Sequence, residues 1–275
     1  MEAYPDFTVA MGVYRGDNAA DFACAVHSIY TEQTVKPKEV IVVVDGPIPQ
    51  AIEDVLSDLQ RSVPLRLIRF TDNQGHAAAR QAGLEAASTD LVAIMDADDL
   101  SVPNRFELQL KAFAEHPEAS VVGGQINEFI GTPDNVVGSR IVPLKDDEIK
   151  AYLKSRCPMN LVTVMVRKDH VQDVGGYQEW YCEEDYYLWV RLALADKSFA
   201  NIPDNLVNVR VGSDMYRRRG GWRYFKSEAS LQRYMYRHGL IGFPRYVYNV
   251  LGRFAVQVAM PNWLRGFVFQ KLFRK

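Results

Sequence analysis

At 275 residues, with 48% hydrophobic and 24% charged residues, the chain has the make-up of a globular protein with one large domain, or a domain plus an appendage. A formal net charge of −2 gives no reason to expect a nucleic-acid partner, although eight Lys or Arg and no acid between Ala229 and Lys275 leave about −10 on the rest. Cys24, Cys157 and Cys182 lack metal-type spacing, which excludes a zinc site and suits reduced thiols in a cytosol. The start MEAYPDFTVAMG has neither the basic region nor the apolar run of a signal peptide or amino-terminal anchor, so a cytoplasmic body is expected.

In chain order, short apolar runs begin with FTVAMGVY at Phe7, EVIVVVDG at Glu39, PLRLIRF at Pro64 and LVAIMD at Leu91. The stretches between them are long enough for crossover helices, so the pattern is βαβ and predicts an α/β fold with a mostly parallel sheet covered on both faces. In such sheets ligands sit outside the carboxyl ends of the strands. That directs attention to Gly12 through Arg15, Asp45 and Gly46, Asp72 through Gly75, and the acids from Asp96. Beyond Ser120 the pattern is less regular, with strands predicted near Val121–Phe129, Ser139–Val142 and Val162–Arg167.

AIMDADDLSVPNRFE sets Asp96, Asp98 and Asp99 directly after a strand and before a helix expected near Pro103. Capping by Asp99 or Asn104 explains one carboxylate, and the remainder repel unless a cation or a hydrogen-bonding ligand fills the gap. Asp96 and Asp98 suit a hard ion, Mg2+ or Mn2+, and such ions bring phosphates with them. In CEEDYYLWVRLAL, Glu184 and Asp185 precede Leu188, Leu192 and Ala195 at helical spacing, so they belong to a helix amino terminus. An N-cap is the plain reading of Asp185, and the helix end acts to lower its pKa. Trp180 and Tyr181 suit either a sugar face or the core.

Together VAMGVYRGDN, VIVVVDGP, NQGHAAARQAG, MDADDLSVPNR and EEDYYLWVRL, from about Phe7 to about Gly221, resemble the family-2 inverting glycosyltransferases of GT-A fold, especially bacterial capsule and exopolysaccharide enzymes of the amylovoran type. None of these motifs is specific alone; the five in this order are. The resemblance implies a hexosyl- or N-acetylhexosaminyltransferase with a nucleotide-diphosphate-sugar donor, usually a UDP-sugar, a divalent metal, and a glycan or lipid-linked glycan acceptor. It also implies a catalytic domain over 1–220, with a donor half to about 125 and an acceptor half beyond it; the remaining 221–275 is expected to be a helical, basic membrane-associating or packing segment.

Matched position by position, Gly12 and Tyr14 border the nucleobase and Asp45 holds the base or ribose. Asn73 and Gly75 turn the chain into a helix from which Arg80 reaches the diphosphate or pairs with an acid. Asp96 lies near the ribose, Asp98 with Asp96 holds the metal, and Asp99 stands behind them or caps. Asp185 is the catalytic base, and Glu184 with Trp180 serves the acceptor side. His76 is expected at the surface. Arg217, Arg218 and Arg219 match a segment that closes over phosphates, and Asp214 is a weaker metal candidate. Two departures stand out: Leu161 follows Asn160 where relatives carry His, and Arg15 stands where Asn is common.

In the tail, Arg245, Asn249, Arg253 and Gln257 recur every four residues, with Tyr246, Val250, Phe254 and Val258 on other faces. Pro261 then breaks the helix before NWLRGFVFQKLFRK. Neither half is long or apolar enough to span a bilayer. Cationic, aromatic, acid-free helices suit an anionic inner-leaflet surface; the alternative is that they cover the core or a second copy in a homo-oligomer. Among other classes, a nucleotidyltransferase needs a Gly-rich lysine loop that GVYRGDN does not supply, and a dehydrogenase needs a missing GxGxxG. A non-catalytic sugar-nucleotide or membrane-binding module would have no use for Glu184 and Asp185.

Overall fold

A computed structural model describes residues 4–212 and 221–259. Four strands, β1 (Phe7–Val13), β2 (Glu39–Val44), β3 (Leu65–Arg69) and β4 (Leu91–Met95), run parallel in the spatial order β3-β2-β1-β4. β1, β2 and β4 are buried almost throughout, and their Val- and Ile-rich runs reflect cover on both faces. The crossovers are α1 (Ala19–Ile29), α2 (Gln50–Leu59) and α3 (His76–Ala86). Asn18 Oδ1 caps α1 by accepting from the N–H groups of Ala20 and Asp21 at 2.9 and 3.1 Å.

The sheet divides the core in two. Val9, Met11 and Val13 of β1 point to a cluster with Phe22, Ile29, Leu56 and Phe106, whereas Ala10 points to one with Leu84, Leu188 and Trp189. Gly83 of α3 sits over Ala10, where an added Cβ would lie 3.0 Å from the alanine methyl, so helix and strand pack closely there.

The second half completes a nine-stranded sheet among the described residues. β5 (Leu100–Ser101) follows the acids and leads into α4 (Arg105–Glu115) and β6 (Ala119–Phe129). β7 (Val136–Arg140) folds back on β6, and α5 (Asp146–Leu153) follows. β8 (Met165–Arg167) lies antiparallel between β4 and β6, and β9 (Ser198–Arg210) runs parallel to β6 and antiparallel to β5. Between β8 and β9 come α6 (Lys168–Asp173) and α7 (Glu184–Leu194).

Two expected strands shift and one strand is unexpected. The strand predicted from Val162 starts at Met165, because Leu161–Thr163 form a 3-10 turn tied by Thr163 Oγ1 to the Asn160 carbonyl at 2.7 Å. The strand predicted over Ser139–Val142 occupies Val136–Arg140. β9, unread in the sequence, contains Pro203 and several Asn; the ladder tolerates them because its register slips between Asn201 and Asn205, and Pro203 falls in that slip.

The carboxyl-terminal segment forms α8 (Trp222–Arg237) and α9 (Phe243–Phe254), continued by a π-helical turn at Ala255–Ala259. Of the polar stripe, Asn249, Arg253 and Gln257 face inward, while Arg245 is exposed. Asn249 Nδ2 donates to the Lys154 carbonyl and to Gln232 Oε1 at 2.8 and 2.7 Å, Arg253 reaches the Ser155 carbonyl and Glu228, and Gln257 also bonds Glu228. The outer face carries Tyr248 at 71%, Leu251 at 62% and Phe243 at 58% exposure. Pro261 and the stretch after it lie outside the described residues, as do Asp214, Arg217, Arg218 and Arg219.

Candidate active site

The carboxyl ends of β1, β2 and β4 bring Tyr14, Asp45 and Asp96 to one edge of the sheet, and α7 brings Glu184 and Asp185 to face them. The junction between the two sides is Arg80 on α3. Its Nη1 donates to Glu184 Oε1 at 2.6 Å and its Nη2 to Asp96 Oδ1 at 3.1 Å. Arg80 thus pairs with acids, one of the arrangements expected for it. Burial works against its charge, but the Asp96 and Glu184 carboxylates outweigh that and hold the guanidinium above its ordinary pKa.

Asp98 reaches the surface beside Asp96, and partial desolvation of its carboxyl together with the Asp96 charge raises its pKa. Asp99 is buried and does not cap α4; its Oδ1 accepts from the Arg210 N–H at 2.9 Å, and burial with Asp98 raises it well above the carboxylate range. Arg210, the last residue of β9, also donates to the Asp98 carbonyl and pairs with Asp21 at 2.8 Å. Beneath the loop the wholly buried Arg105 donates to the Ile94 carbonyl at 2.8 Å, and burial pushes its pKa down to about 9. At neutral pH it is still a cation. The acids therefore tolerate one another through Arg80, Arg210 and Arg105, protein contacts that also pin the loop.

Asp45 holds the turn into α3. Its carboxylate accepts from Asn73 Nδ2, Gln74 N and Gly75 N at 2.9, 2.6 and 2.9 Å. Gly75 stands at the helix start with φ 89°, a left-handed conformation that favours glycine. Gly46, at φ 84°, leaves no room for a side chain, since a Cβ would lie 2.7 Å from the Asn73 nitrogen. Gly12 lies under Ala79, and Tyr14 reaches the rim, its ring edge-on to exposed His76.

Asp17 escaped the sequence reading. It accepts from the Tyr14 N–H at 2.9 Å and faces Asp96 and Asp98, and desolvation together with these charges raises its pKa to about 6. The signal was GDN shortly after the first strand, quoted within the first family motif without a role for Asp17.

On the opposite wall Asp185 stands in the first turn of α7, with Oδ1 accepting from the Tyr186 N–H at 2.7 Å. Burial and the Glu184 charge raise its pKa despite that bond, Arg80 and Arg140, so the lowering expected from the helix end is overcome. A carboxylate so perturbed is a stronger base. The Cys157 thiol approaches Asp185 Oδ2 at 3.8 Å, and burial and Asp185 raise its own pKa far above the thiol range. Glu183, also missed, is buried at the N-cap position and bonded by Tyr224 Oη at 2.7 Å. Trp180 takes the packing alternative: its ring lies 4.4 Å from that of Tyr187, and its Nε1 donates to the Ser227 carbonyl at 3.2 Å.

Among the described residues no three His, Cys, Asp or Glu side chains are grouped to hold a metal by themselves. Asp96 and Asp98 nonetheless fit the donor set of an ion that takes one or two carboxylates and completes its shell with phosphates and water. Also among the described residues, no helix is long and apolar enough to cross a membrane.

Residues 9–175 match the family described as Glycosyl transferase family 2. The chain belongs to that family. It is 33% identical over 96% of its length to the amylovoran biosynthesis glycosyltransferase AmsE of Erwinia amylovora, 98% of which is covered. It is 31% identical to the Escherichia coli UDP-Gal:alpha-D-GlcNAc-diphosphoundecaprenol beta-1,3-galactosyltransferase, over 98% of each chain. In fold it is similar to the mannosyltransferase PcManGT from Pyrobaculum calidifontis, solved with GDP-Man and Mn2+, at TM-score 0.65 and 15% identity, covering 98% of this chain and 82% of that one. The fold is thus the expected GT-A type, and the family makes the protein a glycosyltransferase.

Proposed function

We propose that the protein is a metal-dependent inverting glycosyltransferase that moves a sugar from a UDP-sugar to a lipid-linked glycan in surface polysaccharide synthesis, working at the inner face of the membrane. The observation that carries this reading is the Arg80 fork, which joins Asp96 at the sheet edge to Glu184 beside Asp185 and so makes one cleft of the two walls. The UDP-sugar and lipid-linked acceptor are supported by what the Escherichia coli relative is named for, and the metal by the Mn2+ solved with the archaeal mannosyltransferase.

In this reading the domain spans 1–220, with the nucleotide lying across Gly12, Tyr14, Asp45, Asn73 and Gly75. Asp96 and Asp98 would hold Mn2+ or Mg2+ against the diphosphate, where the ion offsets charge on the departing nucleotide. Glu184 orients acceptor hydroxyls and Trp180 backs that wall through its packing. Asp185 takes the proton from the acceptor hydroxyl as that oxygen bonds to the anomeric carbon from the face opposite the nucleotide. The bond from that carbon to the phosphate oxygen breaks, and its electron pair leaves with the nucleoside diphosphate. The membrane contact is the outward apolar face of α8 and α9 with the basic tail.

The test is thermal shift against a panel of nucleotide sugars with Mn2+, followed by transfer assays. Asp185→Asn should bind donor and lose transfer, and Asp98→Asn should lose metal-dependent donor binding. Full turnover by either variant would remove the role assigned to that residue.

A further inference from the structure

Between the segment leading into α7 and the first turns of α8 runs a shallow groove lined by Trp180, Tyr181, Arg223, Lys226, Ser227 and Ser230. Its floor is built from bonds between the two walls: Trp180 Nε1 donates to the Ser227 carbonyl at 3.2 Å, and Ser227 Oγ donates to the Tyr181 carbonyl at 2.6 Å. Its rim is cationic. The Arg223 guanidinium lies 4.0 Å over the Tyr181 ring, and Lys226 lies 5.6 Å from the Trp222 ring. Both cations are exposed, and among the described residues no carboxylate pairs with either. The first turn of α8 contains no acid.

The surroundings order the groove. On one side Tyr224, next to Arg223 in the chain, donates to Glu183 two residues before Asp185. On the other, exposed Trp222 lies 5.3 Å from Phe225 and 6.4 Å from Phe254, the last residue of α9, the helix that also exposes Leu251, Tyr248 and Phe243. The cations of the first turns of α8 therefore stand between a buried tie to the start of α7 and the aromatic contacts to α9. A lipid-linked sugar has a corresponding order of chemistry: a reacting hydroxyl, an anionic linker and a hydrocarbon chain.

We infer that this groove binds the diphosphate of a polyprenyl-diphosphate-linked acceptor, a conclusion that rests on the lipid-linked reading above. The Arg223 fork can take two phosphate oxygens at once, and Lys226 adds a point charge beside it. The rings beneath hold both cations in place and lead the hydrocarbon toward the bilayer.

The experiment uses the full chain, its cleft filled with UDP and Mn2+, and phosphatidylcholine vesicles carrying geranylgeranyl diphosphate, read by flotation. Wild-type protein should bind these vesicles, and Arg223→Gln/Lys226→Gln should bind at least about tenfold more weakly, the scale set by losing two near-surface cations. Arg223→Lys/Lys226→Arg should retain most of the binding, and both variants should keep the wild-type circular dichroism and UDP affinity. Equal vesicle binding by wild type and the double Gln variant would overturn the groove. If the double Gln variant loses as much binding to phosphatidylglycerol vesicles of matched charge as to the diphosphate vesicles, the site reads any anionic headgroup and the diphosphate assignment falls. Failure of the wild type to bind UDP counts against the donor reading instead, and the vesicle comparison still decides the groove.

Discussion

Replacing Arg80 with Met should destabilise the protein, because Arg80 ties the two walls of the cleft together. The guanidinium side chain is 10% exposed and bridges Glu184, 16% exposed, and Asp96, 39% exposed. Deleting one partner of a buried pair strands the other charge and costs about 3–5 kcal/mol. The Glu184 contact approaches that regime, whereas solvent screens the Asp96 contact to roughly 1 kcal/mol or less. A total near 3 kcal/mol follows once partial exposure of Glu184 is discounted, equivalent to roughly 10 °C in Tm for a domain of this size. Urea unfolding should report it as a lower midpoint at unchanged slope. Glu184→Gln in the Arg80→Met background should return about 2 kcal/mol, because the stranded charge is then gone. A loss below about 1 kcal/mol, or strict additivity of the two substitutions, would refute the view that Arg80 joins the two walls.

Asp17, raised from 3.8 to about 6, binds its proton more tightly when folded, so its ionisation lowers stability as pH climbs from about 4 through about 6. Asp17→Asn should thus be more stable than wild type at pH 7 by about 1–2 kcal/mol, after discounting the shift for partial solvation, and equal to it at pH 4; an advantage that persists at pH 4 contradicts this sign. Exposed Cys24 should alkylate with iodoacetamide far faster than Cys157, whose thiolate is suppressed by burial and Asp185, as peptide mapping under native conditions can read. Leu251→Asp/Tyr248→Asp on the outward face of α9 should leave the melting temperature nearly unchanged and reduce binding to anionic vesicles; undiminished binding would remove that face from the membrane contact.

Much of the donor half was legible because its signals are local. Buried parallel strands read as Val and Ile runs, a glycine with positive φ marks the turn at Gly75, and helical spacing after Asp185 locates α7. The acceptor half was less so. β9 is a strand because β6 and β5 flank it, and its own Asn- and Pro-rich residues argue against one. Asp17 was passed over because one carboxylate after a strand carries no signal until Asp96 and Asp98, far along the chain, are folded against it.

What the amino-acid order determined by itself was periodicity and motif: the βαβ series, the family, the acids at the end of β4 and the pair at the start of α7. What only the tertiary structure decided was partnership and burial. Arg80 meets Glu184, 104 positions away, and so bridges the cleft where the motif equally allowed a phosphate contact. Burial and Glu184 reverse the expected direction for Asp185. The stripe Asn249, Arg253, Gln257 turns inward because buried carbonyls and Glu228 await it, leaving the aromatic face outside. Spacing along a helix says which residues share a face; only the groups packed against that face say whether it is the inside.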